Sequence, residues 1–597
     1  MMRNFYVGLS HLFRRLTWLS LACLFLVTPL NLVASPLKEV YLYASPITAT
    51  FFAANGTSYD GLKQHWREYL RPLGMDYREV SRANLLAGLK PGVLVLGSAA
   101  LLDEQERKAI EVFGDSGGSI LMTWGTGVRD GRGKWVGYGL IEKIFQLKVN
   151  GKVLPQNNED NNERFINTFG DGPLTWSMPA GERLFLGEVS EMSIRVDSPY
   201  LAARYFNWNR QPLPKNSNGA IAFLEKGASR RVYFGFSESS WEYDPNMDFP
   251  KLLNSVMAWL KHEPSLFKAA WPNGNLSAQL LEMDTEDKYF NAVNFASMLD
   301  AAKLRGTFYS LTSVARQYRD IVKQMSQKHE IGYHGEIHVG YKGKTAAVQA
   351  KRLDIMATEM KDIVGTLAFS KVTGFRAPTE SSDEITDKIL RKLGVQHNVT
   401  GPSSSEGRLP FFSEAEPALS TQEAIIGLPR TQMDDLNYLA LRVSEEKAAE
   451  LIMLDFDYLH EAGALGVVSV HSQNFASDDL MTRLMPRYIQ KIQQFPGAVW
   501  TASGADIAAW WRARDRVIQR SAKGDATQLK FDVKAPGSVK GLTFMVVHAA
   551  AEGLPKAVMA SGSGSPQPEI RRVDAYRTAI VFKDELKPGS YAYTVAF

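Results

Sequence analysis

Leu276-Ser277-Ala278-Gln279-Leu280-Leu281-Glu282-Met283-Asp284-Thr285-Glu286-Asp287 is an apolar run that ends in a cluster of carboxylates. The run 276–283 is short and bounded, as a buried strand is. Seven more strand candidates follow it, at 307–311, 330–334, 371–376, 395–399, 424–428, 466–471 and 498–501. Amphipathic helical patterns, for example 347–363 and 383–393, separate most of them. Alternation of strand and helix over this length predicts a barrel of parallel strands over 272–515. Asp284, His334, Arg376 and His471 each stand at the end of an apolar run. Such barrels gather their chemistry at the C-terminal ends of the strands.

Outward from the barrel, the texture changes twice. Trp271-Pro272-Asn273-Gly274-Asn275 marks a boundary on the N-terminal side. Before it, 39–43 reads as a strand. Gly92-Val93-Leu94-Val95-Leu96-Gly97 is a glycine-bounded buried strand, 103–113 a helix, and Gly117-Gly118 a turn into 119–123. A strand at 231–236 and a helix at 249–260 complete an α/β layered domain over 37–262. After the barrel, 526–597 carries short alternating runs with Gly and Pro turns, the pattern of a small β-sandwich. Ser561-Gly562-Ser563-Gly564-Ser565 is a low-complexity patch.

Composition narrows the function classes. The 597 residues are 45% hydrophobic and 22% charged, with a formal net charge of +4. That balance is globular, and with no basic stripe interleaved with aromatics it gives nucleic acid no footing. Arg3, Arg14 and Arg15, then the apolar residues 16–27, then Ala34-Ser35, read as an export signal over 1–35, cleaved near Ala34. Left uncleaved, 16–34 would tether the chain to the membrane. The expected location is periplasmic or extracellular. The single cysteine, Cys23, lies inside this segment. A mature chain therefore has no disulfide, no thiolate metal ligand and no cysteine nucleophile.

His334 and His338 are four residues apart, after a strand, and can converge on one ion. A catalytic Zn²⁺ takes three protein ligands and leaves one position open. The third ligand is expected from Asp284-Thr285-Glu286-Asp287, with a second carboxylate of that cluster free to act as general base. His471 is placed to protonate a leaving group. His329 reads as a helix C-terminal residue and His397 and His460 as structural. Trp510-Trp511 fit a helix buried against the barrel, and would otherwise stack on sugar rings.

A carboxylate cluster, His-x-x-x-His, Arg376-Ala377-Pro378 and a late strand-end His471, in that order, resemble the polysaccharide deacetylase family over residues 275–515. The resemblance implies a distorted (β/α) barrel and a metal-dependent hydrolase that removes acetyl groups from N-acetylated polysaccharide or oligosaccharide. It implies Asp284 as catalytic base and Arg376 as the arginine that orients it. It implies His471 as catalytic acid, and Asp287, His334 and His338 as metal ligands, with Glu286 the alternative to Asp287. The cofactor is a divalent metal, Zn²⁺ first. The family's adjacent aspartates are replaced here by Asp284-Thr285-Glu286-Asp287. Its tyrosine after the arginine motif is replaced by Thr379, which keeps the backbone N–H that serves an oxyanion. Gln432-Met433-Asp434-Asp435 is the candidate for the aspartate partner of the acid. The stretch Leu101-Leu102-Asp103-Glu104-Gln105-Glu106 leading to Gly117-Gly118 resembles the class I glutamine amidotransferase-like fold, here non-catalytic for want of a cysteine. The rival reading is an inactive deacetylase-like barrel that binds glycan as a scaffold in cell-envelope polysaccharide assembly.

Overall fold

The strand Ser277–Thr285 is buried along its whole length. The computed structural model describes residues 37–597, apart from 72–74, 153–164, 169–171, 179–182, 187–192, 207–217, 242–247, 402–407, 414–419, 525–526, 549–553 and 562–564. The expected signal or tether, with Cys23, lies outside the described residues, as does the centre of the Ser/Gly patch. Among the described residues no helix is long and apolar enough to cross a membrane.

Ser277–Thr285 pairs in parallel with Thr307–Ser310 on one side and Leu465–His471 on the other. The ladder continues in parallel through Glu330–Tyr333, Gly374–Arg376, His397–Thr400 and Ile426–Pro429. Phe411–Phe412 adds an antiparallel edge, and Val499–Thr501 pairs with the start of Ser277–Thr285. Among the described residues Ile426–Pro429 and Leu465–His471 share no ladder, so the barrel stays open there. Thr431 bridges the gap: its Oγ1 donates to the Leu465 carbonyl at 2.7 Å and accepts from Val467 N at 3.1 Å.

Alternation along the first strand sorts its side chains. Leu281 and Met283 pack outward with Phe295 and Leu299, toward the helices. Ala278 and Leu280 pack with Tyr309, Val399, Leu428 and Val467. The register sets Leu280 against Val467, Glu282 against Ser469 and Asp284 against His471. Apolar pairs therefore give way to polar ones toward the C-terminal end of the strands.

The apolar end is covered by two four-stranded sheets. One holds Ser265–Lys268, Thr543–Val547, Arg577–Val581 and Glu569–Arg572, the other Ile518–Gly524, Gln528–Ala535, Gly589–Ala596 and Ala557–Ser561. This β unit recruits two strands from outside 526–597, because 265–268 and 518–524 complete its sheets. Phe531 and Phe544 share one core cluster with Leu280, Trp271, Trp510 and Trp511. The tryptophan pair is thus core and not an open platform.

Nearer the N-terminus, Arg78–Val80, Val40–Tyr43, Val93–Leu96, Ser119–Thr123 and Ser229–Phe234 form a parallel sheet in that order. Asp103 and Glu106 form a capping box that starts the helix Glu104–Asp115 between two of these strands. The sheet continues antiparallel through Gly219–Lys226 and Leu201–Phe206, strands the sequence reading did not place.

Candidate metal and acid–base site

Glu282, Asp284 and Glu286 are two residues apart and project to one face. Glu286 follows the strand end at Thr285 and keeps its inward direction. Asp287 faces the other way and is exposed, and Lys288 then turns left-handed at φ 54°. The Asp287 backbone carbonyl accepts from Ser472 Oγ at 2.9 Å. The expectation of Asp287 beside the histidines therefore does not match the structure, which sets Glu286 there. The period of two was the signal that separates these neighbours.

His334 follows the strand Glu330–Tyr333, and Gly335 at φ 100° turns the chain so that His338 comes back to the same place. His334 Nε2 lies 2.9 Å and His338 Nε2 2.8 Å from Glu286 Oε1. His334 Nδ1 donates to the Arg376 carbonyl at 2.9 Å, which turns Nε2 toward Glu286. Glu286 is steadied by Gln473 Nε2 at 2.8 Å, and its own N–H donates to Ser472 Oγ at 2.9 Å. Burial alone would raise the Glu286 carboxyl. The hydrogen bond and charge of His334, with the charge of His471, outweigh burial and hold it at about 2. His338 is 44% exposed, so this group opens to solvent on one side.

The donor set fits a divalent cation. One oxygen and two imidazole nitrogens lie within 4.8 Å of one another. That is the three-ligand set of a catalytic zinc site. Asp284 Oδ1 beside it is buried with no hydrogen-bond partner. Asp284, Glu286 and His471 form a second compact group.

Asp284 is held by Arg376, whose Nε donates to Oδ2 at 2.7 Å. The same guanidinium lies 3.2 Å from Glu282 and 3.2 Å from Glu380. Burial would lower the Arg376 pKa, but Asp284, Glu282 and Glu380 raise it instead. Burial pushes the Glu282 carboxyl up.

His471 ends its strand opposite Asp284. Asp434 caps the helix Asp435–Leu441, which puts Asp435 in the first helical position and fully buried. Asp435 Oδ1 meets His471 Nδ1 at 2.6 Å, and Oδ2 accepts from His471 N at 2.9 Å and Asn474 Nδ2 at 3.0 Å. Of the candidate tetrapeptide 432–435, Asp435 is thus the partner. Burial lowers the imidazole, but the bond and charge of Asp435, with the charges of Asp284 and Glu286, raise it to about 9. Its Nε2 stands 3.7 Å from Asp284 Oδ2.

His397, His460 and His329 lie outside this group and have their own partners. His397 Nε2 meets Glu330 at 2.7 Å and His460 Nδ1 meets Ser277 Oγ at 2.7 Å. His329 is buried near Asp300, just beyond the helix Arg319–Met325. Thr379 and Glu380 are consecutive residues at positive φ, 58° and 54°. Glu282, Glu380, Gln473 and Arg430 went unnoticed in the sequence, because the pairs Glu282–Arg376, Glu380–Arg430 and Gln473–Glu286 join residues far apart in the chain.

Residues 270–397 match the family model of polysaccharide deacetylase. The matched segment contains Asp284, Glu286, His334, His338 and Arg376 and stops before Asp435 and His471. No curated protein matches the chain. Among solved structures, the chain is similar to a Mycobacterium smegmatis protein assigned as a polysaccharide deacetylase, at 20% identity and TM-score 0.35, over 42% of this chain and 94% of that one. It is similar to the Puue allantoinase at 16% identity and TM-score 0.35, over 41% of this chain and 92% of that one. Agd3, a carbohydrate deacetylase, aligns over 94% of this chain and 100% of its own, at 10% identity and TM-score 0.41.

Proposed function

We propose that this chain is a metal-dependent carbohydrate deacetylase, exported to the periplasm or beyond, that hydrolyses the acetamide of N-acetylated polysaccharide or oligosaccharide. The observation that carries the reading is the facing of two separately supported groups. Asp284 is clamped by Arg376 and His471 by Asp435, across a mouth that holds Glu286, His334 and His338.

Hydrolysis adds water across the amide C–N bond and yields acetate and a free amine. Asp284 takes the proton of the attacking water, with Arg376 fixing the carboxylate. His471, charged at neutral pH, delivers a proton to the departing nitrogen. Asp435 holds its Nδ1–H and leaves Nε2–H to donate. Glu286, His334 and His338 would hold a divalent cation, Zn²⁺ first, which supplies Lewis-acid polarisation of the acetyl carbonyl. The Thr379 backbone N–H is a candidate donor to the developing oxyanion. The test is acetate release from N-acetylhexosamine oligomers by the wild type and by Asp284→Asn. Release that is absent in the wild type, or equal in both, overturns the reading.

A further inference from the structure

Arg430 follows the strand Ile426–Pro429 and has no part in the reaction set out above. Its guanidinium is largely buried and forks onto Glu380, with Nε 2.5 Å from Oε1 and Nη2 3.3 Å from Oε2. Glu380 Oε1 also accepts from Arg376 Nη2 at 3.2 Å, and Arg376 in turn holds Asp284. The other edge of Arg430 faces the acid side of the site. Nη1 donates to the Gln432 carbonyl at 3.3 Å and Asn437 Oδ1 at 3.4 Å, and lies 3.5 Å from Asp434 Oδ2. Asp434 caps the helix that begins with Asp435, the partner of His471.

The turn that Arg430 grips is strained. Two adjacent residues other than glycine, Thr379 and Glu380, are both left-handed. Such residues persist where their surroundings over-determine them. Glu380 is so determined: two guanidiniums hold its carboxylate. A Cβ on Gly401 would meet Glu380 Oε2 at 2.8 Å, so the next strand end closes on it as well. The turn is also the seat of the histidine loop. Tyr341 N donates to the Ser381 carbonyl at 2.8 Å. A Cβ on Gly335 would stand 3.1 Å from the Pro378 ring, and one on Gly340 would collide with Ser381.

We propose that Arg430 is a positioning residue that ties the two halves of the site together. Through Glu380 it holds the turn 378–381, and so the loop carrying His334 and His338 and the side chain of Arg376. Through Asp434 and Gln432 it holds the helix start behind His471. The kinetic arm of the test rests on the deacetylase reading; the other two arms do not.

The experiment compares the full chain with Arg430→Ala, Arg430→Lys and Arg430→Ala/Thr379→Gly. Hydrogen exchange is read over 376–383 and 334–342, zinc affinity against a competing chelator, and kcat and KM on an N-acetylglucosamine hexamer. Arg430→Ala is expected to speed exchange in both segments and to weaken zinc about tenfold, the low end for losing an outer support of metal ligands. It should lower kcat roughly 100-fold with KM within about threefold, the mark of lost transition-state geometry and not of lost substrate contact. Lysine should restore only part of this, because it cannot fork. Glycine at 379 occupies the left-handed region freely, so the double variant should regain about tenfold in kcat. Unchanged exchange and zinc affinity in Arg430→Ala overturn the proposal. A raised KM at constant kcat reassigns Arg430 to substrate binding, and absence of rescue refutes its hold on the strained turn. If the wild type binds zinc but releases no acetate, the deacetylase reading fails while exchange and zinc affinity still decide the role of Arg430.

Discussion

His471 stands directly across a parallel strand pair from Asp284, with its Nε2 3.7 Å from Asp284 Oδ2. One is an imidazole and the other a carboxylate, and each has its own buried partner, Asp435 and Arg376. A proton acceptor and a proton donor on neighbouring rigid strands suit a reaction that removes one proton and delivers another.

Removing the acceptor while keeping its shape isolates it. Asp284→Asn is expected to lower kcat by about 10²–10⁴, the range for loss of a general base. Glu286, His334 and His338 are untouched, so bound zinc should persist. Steady-state kinetics beside metal analysis checks both; loss of zinc in this variant would mean that Asp284 is a ligand.

The donor sets the alkaline limit. In the proposed reaction the imidazolium of His471 is the acid, and it is held up to about 9. Its fraction falls as pH rises through that value, so acetate release should fall there too. The same shift is a stability term. The folded value lies above the free histidine value of about 6.5, so the contribution is complete below that pH and fades as pH climbs through the folded value. Asp435→Asn removes the chief support and should move the falling limb of the rate profile down by about one unit or more. A limb that stays in place would show that some other group sets it.

The carboxylate of the metal group can be assigned by a neighbour swap. Glu286→Ala should weaken zinc by about 100-fold or more, since three ligands become two. Asp287→Ala should leave zinc binding and activity close to wild type, because that side chain is exposed. Zinc lost from Asp287→Ala and retained by Glu286→Ala would reverse the assignment.

Arg376 also bears on folding. Arg376→Met leaves the buried Glu282 and Asp284 carboxylates without their cation. Breaking a buried pair in this way costs about 3–5 kcal/mol. Adding Glu282→Gln should recover part of the loss by removing one of the stranded charges. Urea unfolding of the single and double variants measures it. A double variant no more stable than the single one would argue that Glu282 is protonated in the native protein.

The strand ends were legible because a parallel barrel writes them as apolar runs that stop at a polar residue. Asp284, His334, Arg376 and His471 were found that way. The choice between Glu286 and Asp287 was also within reach, through side-chain alternation past the end of the strand. Asp435 was narrowed to a tetrapeptide and fixed only by the cap: Asp434 takes the capping position, which frees its neighbour to face His471. Glu380 and Arg430 left no trace, since an ion pair between residues 50 apart in the chain has no spacing to read. The open edge of the barrel was equally silent, because Thr431 fills it with one hydroxyl in place of a ladder. The β unit drew strands from 265–268 and 518–524 because its sheets are completed by non-local pairing.

The account rests on a divalent cation held by Glu286, His334 and His338. Its most direct test is the metal content of the purified protein beside His334→Ala/His338→Ala, each after incubation with zinc and removal of excess. About one ion per wild-type chain, absent from the double variant, is the expected result for a three-ligand site. No ion in the wild type, or an equal ion content in both, would contradict the account.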